Sequence, residues 1–311
     1  MPIVVALASI AGLFGVAIAM PFLVSRPGLA TKVAYVASAA LCLPLLGVGL
    51  FGLLGGNASH GELTLPFGLP WIGIHFALDA LSSFFLILVD LGAVVASVYA
   101  LGYGKHEHHP GRVLPFYPAF LAAMNLVVLA ADAFGFLVSW EFMSLSSWAL
   151  VLSSHHDGDN RRAGYIYMLM ASFGTMMLLL AFGLLAGTEG HYAFSMMRLS
   201  AHLPWVAGLV LVLMTLGAGS KAGLVPLHVW LPLAHPAAPS HVSALMSGIM
   251  TKVAVYGFIR VVFDLAGPPS WWWAVVVLIM GSVSAVLGVL QAVLQRDLKR
   301  LLAYSTVENK I

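Results

Sequence analysis

Nine stretches of this chain are long and apolar enough to cross a bilayer, at approximately residues 2–24, 31–54, 79–101, 116–131, 133–153, 163–187, 205–224, 240–263 and 271–294. A crossing helix needs roughly 20 apolar residues to span a hydrocarbon core about 30 Å thick. Within that core each backbone N–H and C=O must be paired inside the protein, so the pattern calls for an all-α polytopic membrane protein. The composition agrees: 61% of the 311 residues are hydrophobic and 8% charged, with a mean hydropathy of +0.98. A soluble domain carries about a quarter of its residues as charges. The tail RDLKRLLAYSTVENKI reads as the start of a tenth helix.

The same numbers exclude several classes. A net charge of +2 with no long basic run gives nucleic acid nothing to bind, and the lipid bilayer is the partner that the composition requires. Cys42 is the only cysteine, so the chain forms no internal disulfide. It has no CxxC, Walker loop, GxGxxG or HExxH pattern, so neither a cofactor nor a metal site is expected in it. The first basic residue, Arg26, follows the first apolar run instead of preceding it, which predicts a retained helix and not a signal peptide.

Basic residues set the orientation. Arg26 and Lys32, Lys105 and Arg112, Arg161 and Arg162, then Arg296, Lys299 and Arg300 fall in the odd-numbered loops, against Arg198 and Arg260 on the other side. The bias predicts an N-terminus outside the cell's inner (plasma) membrane, in the periplasm of a bacterium. Between helices two and three, GNASHGELTLPFGLPWIGIHF reads as an external hairpin or interfacial loop. Gly52 and Gly56 form a GxxxG pair, read as packing. The Asn57-Ala58-Ser59 sequon is a weak signal of glycosylation.

A charge in the bilayer must face protein or water, so the buried charges carry the functional argument. Asp132, in the tight turn LAADAFGF, reads as an N-cap. Asp79 opens helix three and could be its cap. Asp90 lies eleven residues later on the same face, about 16 Å deeper, where nothing local explains it. Glu141 sits about 12 Å into helix five, on one stripe with Ser144 and Trp148. Lys221 closes helix seven just before Pro226, Pro232, Pro236 and Pro239, which forbid an uninterrupted helix. A discontinuous helix seven beside a lysine predicts a hydrated cavity. Lys252 is mid-helix in helix eight, with His241 eleven residues before it and Tyr256 four after it, read as one aligned stripe. His228 and His235 flank the break. The histidines of KHEHHPGR, and His155 and His156, read as loop residues and not as metal ligands.

These motifs together resemble a known family. WE with the Ser-rich run after it (Trp140, Glu141, Ser144, Ser146, Ser147), GSKAGLVPLHVWLPLAHPAAPSHVSALMSG, MTKVAVYG and DLKRLLAYSTVEN look like the proton-translocating antiporter-like subunits of respiratory complex I, Mrp antiporters and group 4 hydrogenases. LPLAHPAAPSHVSALMSG and STVEN are most similar to the hydrogenase-4 component B type. The resemblance implies inverted five-helix repeats: residues 1–115 as N-terminal helices with the external loop, 116–264 as the first repeat, and 265–311 as the start of a truncated second one. It also implies that Glu141, Lys221 and Lys252 move protons, with His228 at a position of the break that is often histidine; the residues themselves add His241 as a proton carrier and Asp79, Asp90, His235 and Tyr256 as candidates for support. Phe173 stands where relatives often carry histidine, so one relay group is expected to be missing.

The implied mechanism is lateral. Glu141 approaching or leaving Lys221 makes the lysine hold or release its proton, and Lys252 passes it on. Sodium is the alternative coupling ion. The drive would come from other membrane subunits and a peripheral redox arm holding iron–sulfur and nickel–iron centres, so the chain would be a non-redox part of an oxidoreductase complex. A stand-alone cation/proton antiporter, a structural scaffold and an inactive fragment are the competing readings.

Overall fold

The computed structural model describes residues 2–55, 61–66, 73–104, 107, 109–200 and 202–309. Gly56, the Asn57-Ala58-Ser59 sequon, and Lys105, His106 and His108 lie outside the described residues. Among the described residues, nine helices are long and apolar enough to cross a membrane. They are α1 Pro2–Leu23, α2 Pro27–Leu54, α3 Ala80–Tyr103, α4 Pro110–Leu129, α5 Ala133–Ser154, α6 Gly158–Ala186, α7 Pro204–Ala237, α8 Ser240–Leu265 and α9 Trp271–Val293. A further helix, α10 Leu298–Glu308, follows.

Two starts lie earlier than hydropathy alone indicates. Pro110 opens α4, since proline at a first helical position forfeits no hydrogen bond, and the short fourth segment becomes a 20-residue span. Asp157 caps α6 by accepting from Asp159 N, which draws Arg161 and Arg162 into the first turns.

The expected hairpin is present. Strand β1 (Gly61–Leu65) pairs antiparallel with β2 (Ile74–Leu78), with Leu63 opposite Phe76. It is tied to the α4–α5 turn by Ala131 N donating to His75 O and by His75 N donating to Asp132 Oδ2. Asp132 also accepts from Gly135 N at 2.6 Å, so it is the N-cap of α5 that its position predicts.

Helix seven is broken. Its first part, α7a, is Pro204–Ala222 and ends on Gly223, whose φ of +84° suits a residue without Cβ. A 3-10 turn (Leu227–Trp230) leads into α7b, Leu231–Ala237. Helix α8 crosses without a break but contains two π-helical segments, Met246–Met250 and Arg260–Leu265, which the sequence does not announce.

Close backbone approaches set the packing. A Cβ on Gly52 would stand 2.2 Å from Ser83 Oγ, so this member of the glycine pair packs α2 onto α3. Gly174 on α6 and Gly217 on α7a face each other, each with its carbonyl oxygen 3.0 Å from where the other's Cβ would be. Helices α4 and α7 form the centre, with 78% and 72% of an apolar 18-residue stretch of each buried against 22% for α9.

Candidate functional site

The Gly174–Gly217 crossing brings the next turn of α7a against α6, and this is where Lys221 lies, 3% exposed. Its Nζ donates to Ser144 Oγ of α5 and to Tyr167 OH of α6, both at 2.8 Å. The Ser144 hydroxyl donates to Trp140 O at 2.9 Å, so its lone pairs are left to face the amine. Tyr167 OH lies 2.6 Å from Ser147 Oγ, which lies 2.6 Å from Met143 O. With Met143 O as final acceptor, donation runs from lysine to tyrosine to serine to carbonyl, the polarity that an ammonium imposes.

Glu141 is on the same face of α5 but turns to α6. Its Oε2 accepts from Thr175 Oγ1 at 2.6 Å, and it makes no ion pair with Lys221 among the described residues. Its charge reaches Lys221 through space only. The pair is therefore adjacent and open.

The cavity at the break differs from expectation. Trp230 closes it: the indole Nε1 donates to Ser220 O at 2.8 Å, and the ring meets Tyr167 edge-on at 4.9 Å. The indole adds a second donor to a carbonyl at the end of α7a that otherwise accepts, among the described residues, only from Gly223 N at 3.2 Å. The gap bordered by Tyr167, Ser220, Lys221 and Trp230 is too small for a water molecule. A cavity of about 630 Å³ opens instead between α7b, α8 and α10, lined by His235, Ser243, Lys252, Lys299 and Thr306. There Lys252 Nζ donates to Asn309 O at 3.2 Å and His235 Nδ1 meets Ser243 Oγ at 2.8 Å. His228 is half-buried, its ring 6.2 Å from that of Tyr304 on α10.

The stripe of His241, Lys252 and Tyr256 is not formed. Eleven α-helical residues return to one face, but the π segment Met246–Met250 intervenes and shifts the phase. His241 points to Tyr35 OH (3.0 Å), Lys252 to the cavity, and Tyr256 OH to Val128 O (2.7 Å).

At the other end of α8 is a network that sequence reasoning missed. Arg260 grips Asp79 with two hydrogen bonds of 2.6 and 2.8 Å and bonds Asp264 at 2.9 Å, while Arg198 holds Asp264 at 2.7 and 2.8 Å. Asp79 also caps α3 by accepting from Ser82 N at 2.8 Å. Burial alone would raise its carboxyl, but Arg260 and the Ser82 bonds outweigh that and pull it down to about 2. These groups and the hairpin line a cavity of about 510 Å³. The available signal was the Arg260/Asp264 spacing of four residues on one helix. Asp90, fully buried, accepts from Asn125 Nδ2 at 3.1 Å and lies beside the Cys42 thiol. On the loops, His109, His155 and His156 come together with Arg112 on His155. Among the described residues no group of three His, Cys, Asp or Glu side chains could hold a metal.

Residues 130–309 match the model of the NADH:quinone oxidoreductase/Mrp antiporter transmembrane family. The chain belongs to that family. Among relatives, hydrogenase-4 component B of Escherichia coli (strain K12) is 40% identical over 259 residues, covering 80% of this chain and 38% of that protein. An uncharacterized protein of Mycobacterium tuberculosis is 44% identical over 266 residues, covering 85% of this chain and 40% of its own length. The chain thus spans about two fifths of the curated relatives it matches. The archaeal membrane-bound sulfane sulfur reductase shares its fold, with a TM-score of 0.81 at 20% identity over 98% of this chain and 62% of that one. Within the antiporter-family segment fall Glu141, Lys221, Lys252 and the Arg260–Asp264 pair, whereas Asp79 and Asp90 precede it.

Proposed function

We propose that this chain is a proton-translocating membrane subunit of a redox-driven complex of the hydrogenase-4 or complex I kind. The observation that carries the reading is the Lys221 site: an amine buried between α5, α6 and α7a, held by two hydroxyls, with the Glu141 carboxylate near it but bonded elsewhere. Such a pair has two states. With Glu141 on Thr175 the lysine relies on neutral acceptors; with Glu141 swung onto Lys221 the ammonium is held by a full charge. Alternation between them loads and releases one proton.

Lys252, facing the 630 Å³ cavity, is the next acceptor. Helices α4 to α8 form the first repeat of the antiporter-like unit. The chain lies in the inner membrane with its N-terminus outside, against other membrane subunits. A peripheral arm with iron–sulfur and, in the hydrogenase type, nickel–iron centres supplies the drive.

In the intact complex, Lys221→Ala abolishes proton pumping with assembly nearly normal, and Lys221→Arg fails too because arginine hardly releases its proton. Pumping at the wild-type rate in an assembled Lys221→Ala complex would refute the assignment. Retention of pumping by the paired Glu141→Gln/Lys221→Met variant would favour a scaffold role for both residues.

A further inference from the structure

A second set of buried polar groups takes no part in the Lys221 site. Helix α2 presents Tyr35, Ser38 and Cys42, spaced i, i+3, i+7 on one face. Helix α3 presents Asp90 and Ser97, seven apart, and α4 presents Tyr117 and Asn125, eight apart. All seven side chains are fully buried, so three helices direct their polar stripes into one seam. At one end of the seam, His241 Nε2 meets Tyr35 OH at 3.0 Å, and the rings of Tyr103 and Tyr117 stand 5.7 and 5.4 Å from it. Tyr117 OH meets Ser97 Oγ at 2.8 Å. At the other end are Asp90, Asn125 and Cys42. Ser38 stands between them, about 4.5 Å along α2 from Tyr35 and about 6 Å from Cys42.

Polar side chains between membrane helices often serve only as interhelical hydrogen bonds. In that role their atoms are satisfied. Here Asn125 Oδ1, Ser38 Oγ and His241 Nδ1 are buried without a partner, and Asp90 has only the Asn125 amide and the Cys42 thiol beside it. The contrast with Asp132 is direct: that carboxylate is equally buried but accepts two backbone N–H bonds. Among the described residues nothing cationic faces Asp90. Helix α2 offers Cys42, α4 offers Asn125, and α8 brings Ile249 and Leu245 against Gly92 one half-turn on. Among the described residues the rings against His241 are tyrosines, with Glu107 acting on Tyr35. An ionised carboxylate with only an amide and a weak thiol donor is a costly occupant of such a place, and a neutral acid is not.

We propose that Asp90 is a proton-binding site at the blind end of a second polar file through α2, α3 and α4, filled from the Ser240 end of α8 by way of His241, Tyr35 and Ser38. Each hydroxyl or imidazole passes one proton on as it receives another, with the Ser38 hydroxyl, bonded to neither neighbour at rest, rotating to carry the step from Tyr35 to Asp90, so only Asp90 changes its proton count. The file is separate from Lys221, and apart from His241 its members precede the family-matched segment. It makes Asp90 a proton store in its own right and not an accessory of the lysine pair.

Infrared difference spectroscopy on the full chain in lipid nanodiscs tests this. Wild-type protein should show a protonated-carboxyl C=O band that shifts when aspartate carboxyls are isotope-labelled, and Asp90→Asn should remove it. Asp90→Glu should move the band, which keeps the test valid if the asparagine variant folds poorly. Tyr35→Phe should slow the deuterium exchange of this band at least tenfold, while Lys221→Ala should leave both band and exchange unchanged. A wild-type spectrum without an aspartic-acid band, or unaltered exchange in Tyr35→Phe, overturns the proposal. Either result leaves the Lys221 reading untouched, since that is judged by pumping.

Discussion

Asp79 does two jobs at one carboxylate. It caps α3 and it takes the fork of Arg260 from a helix 181 residues further along the chain. Because its folded carboxyl is held near 2, below the ordinary value of about 4, the pair stabilises the fold fully above about pH 4, and that stability is lost as the pH falls toward 2. The full shift corresponds to roughly 2 kcal/mol, trimmed by solvent since the side chain is 31% exposed. Unfolding of the purified chain, followed from pH 6 to pH 2, should therefore steepen below about pH 4 in wild type and not in Asp79→Asn. Parallel curves would mean that the pair contributes nothing. The cap was legible in the sequence because it depends on Asp79 and Ser82 alone. The ion pair was not, since it depends on where α8 crosses α3. Likewise Glu141, Lys221 and Lys252 announce themselves as charges among apolar residues, whereas Tyr167 and Thr175, which actually hold the first two, are neutral and look like ordinary helix residues.

Among the elements, helix breaks were readable and helix distortions were not. The prolines of α7 remove donors, and that loss is visible in composition. A π segment only moves hydrogen bonds from i+4 to i+5, so Met246–Met250 reads as ordinary helix, and the face assigned to His241 and Lys252 was wrong for that reason. The α6–α7a crossing belongs at this scale too. Since Gly174 and Gly217 let two backbones meet, Gly217→Leu must push them apart, at a cost of roughly 1–3 kcal/mol. The expected result is a lower melting temperature in detergent together with loss of Lys221-dependent pumping, because Ser144 and Tyr167 no longer converge on the amine. Wild-type melting of the Gly217→Leu variant would show the contact to be loose.

Across the whole molecule, the least apolar spans, α4, α5, α7 and α8, are the most buried, and the greasiest, such as α1 and α9, face outward. Lipid demands apolar side chains, while the interior gathers the small and polar ones. The number of crossings and the all-α class were therefore plain from hydropathy, whereas the order of packing needed the three-dimensional contacts. Topology can be checked with thiols. Cys42 is fully buried, so the native chain in sealed vesicles should resist a water-soluble maleimide. Thr64→Cys on the hairpin should react from the face on which the N-terminus lies, and Ser243→Cys in the 630 Å³ cavity from the opposite face. Labelling of both from one side would contradict the orientation read from the basic loops.

Helix α8 runs between two of the larger cavities. Ser243 and Lys252 border one, Arg260 and Asp264 the other, and only about 12 Å of helix separates Lys252 from Arg260. Electrically, that makes the membrane thin here. If solvent brings each cavity close to the potential of its own side, a voltage that falls over about 30 Å elsewhere falls across this short dry layer. One charge crossing it then does nearly all the work of crossing the bilayer, about 2.3 kcal/mol per 100 mV, within two or three helical turns.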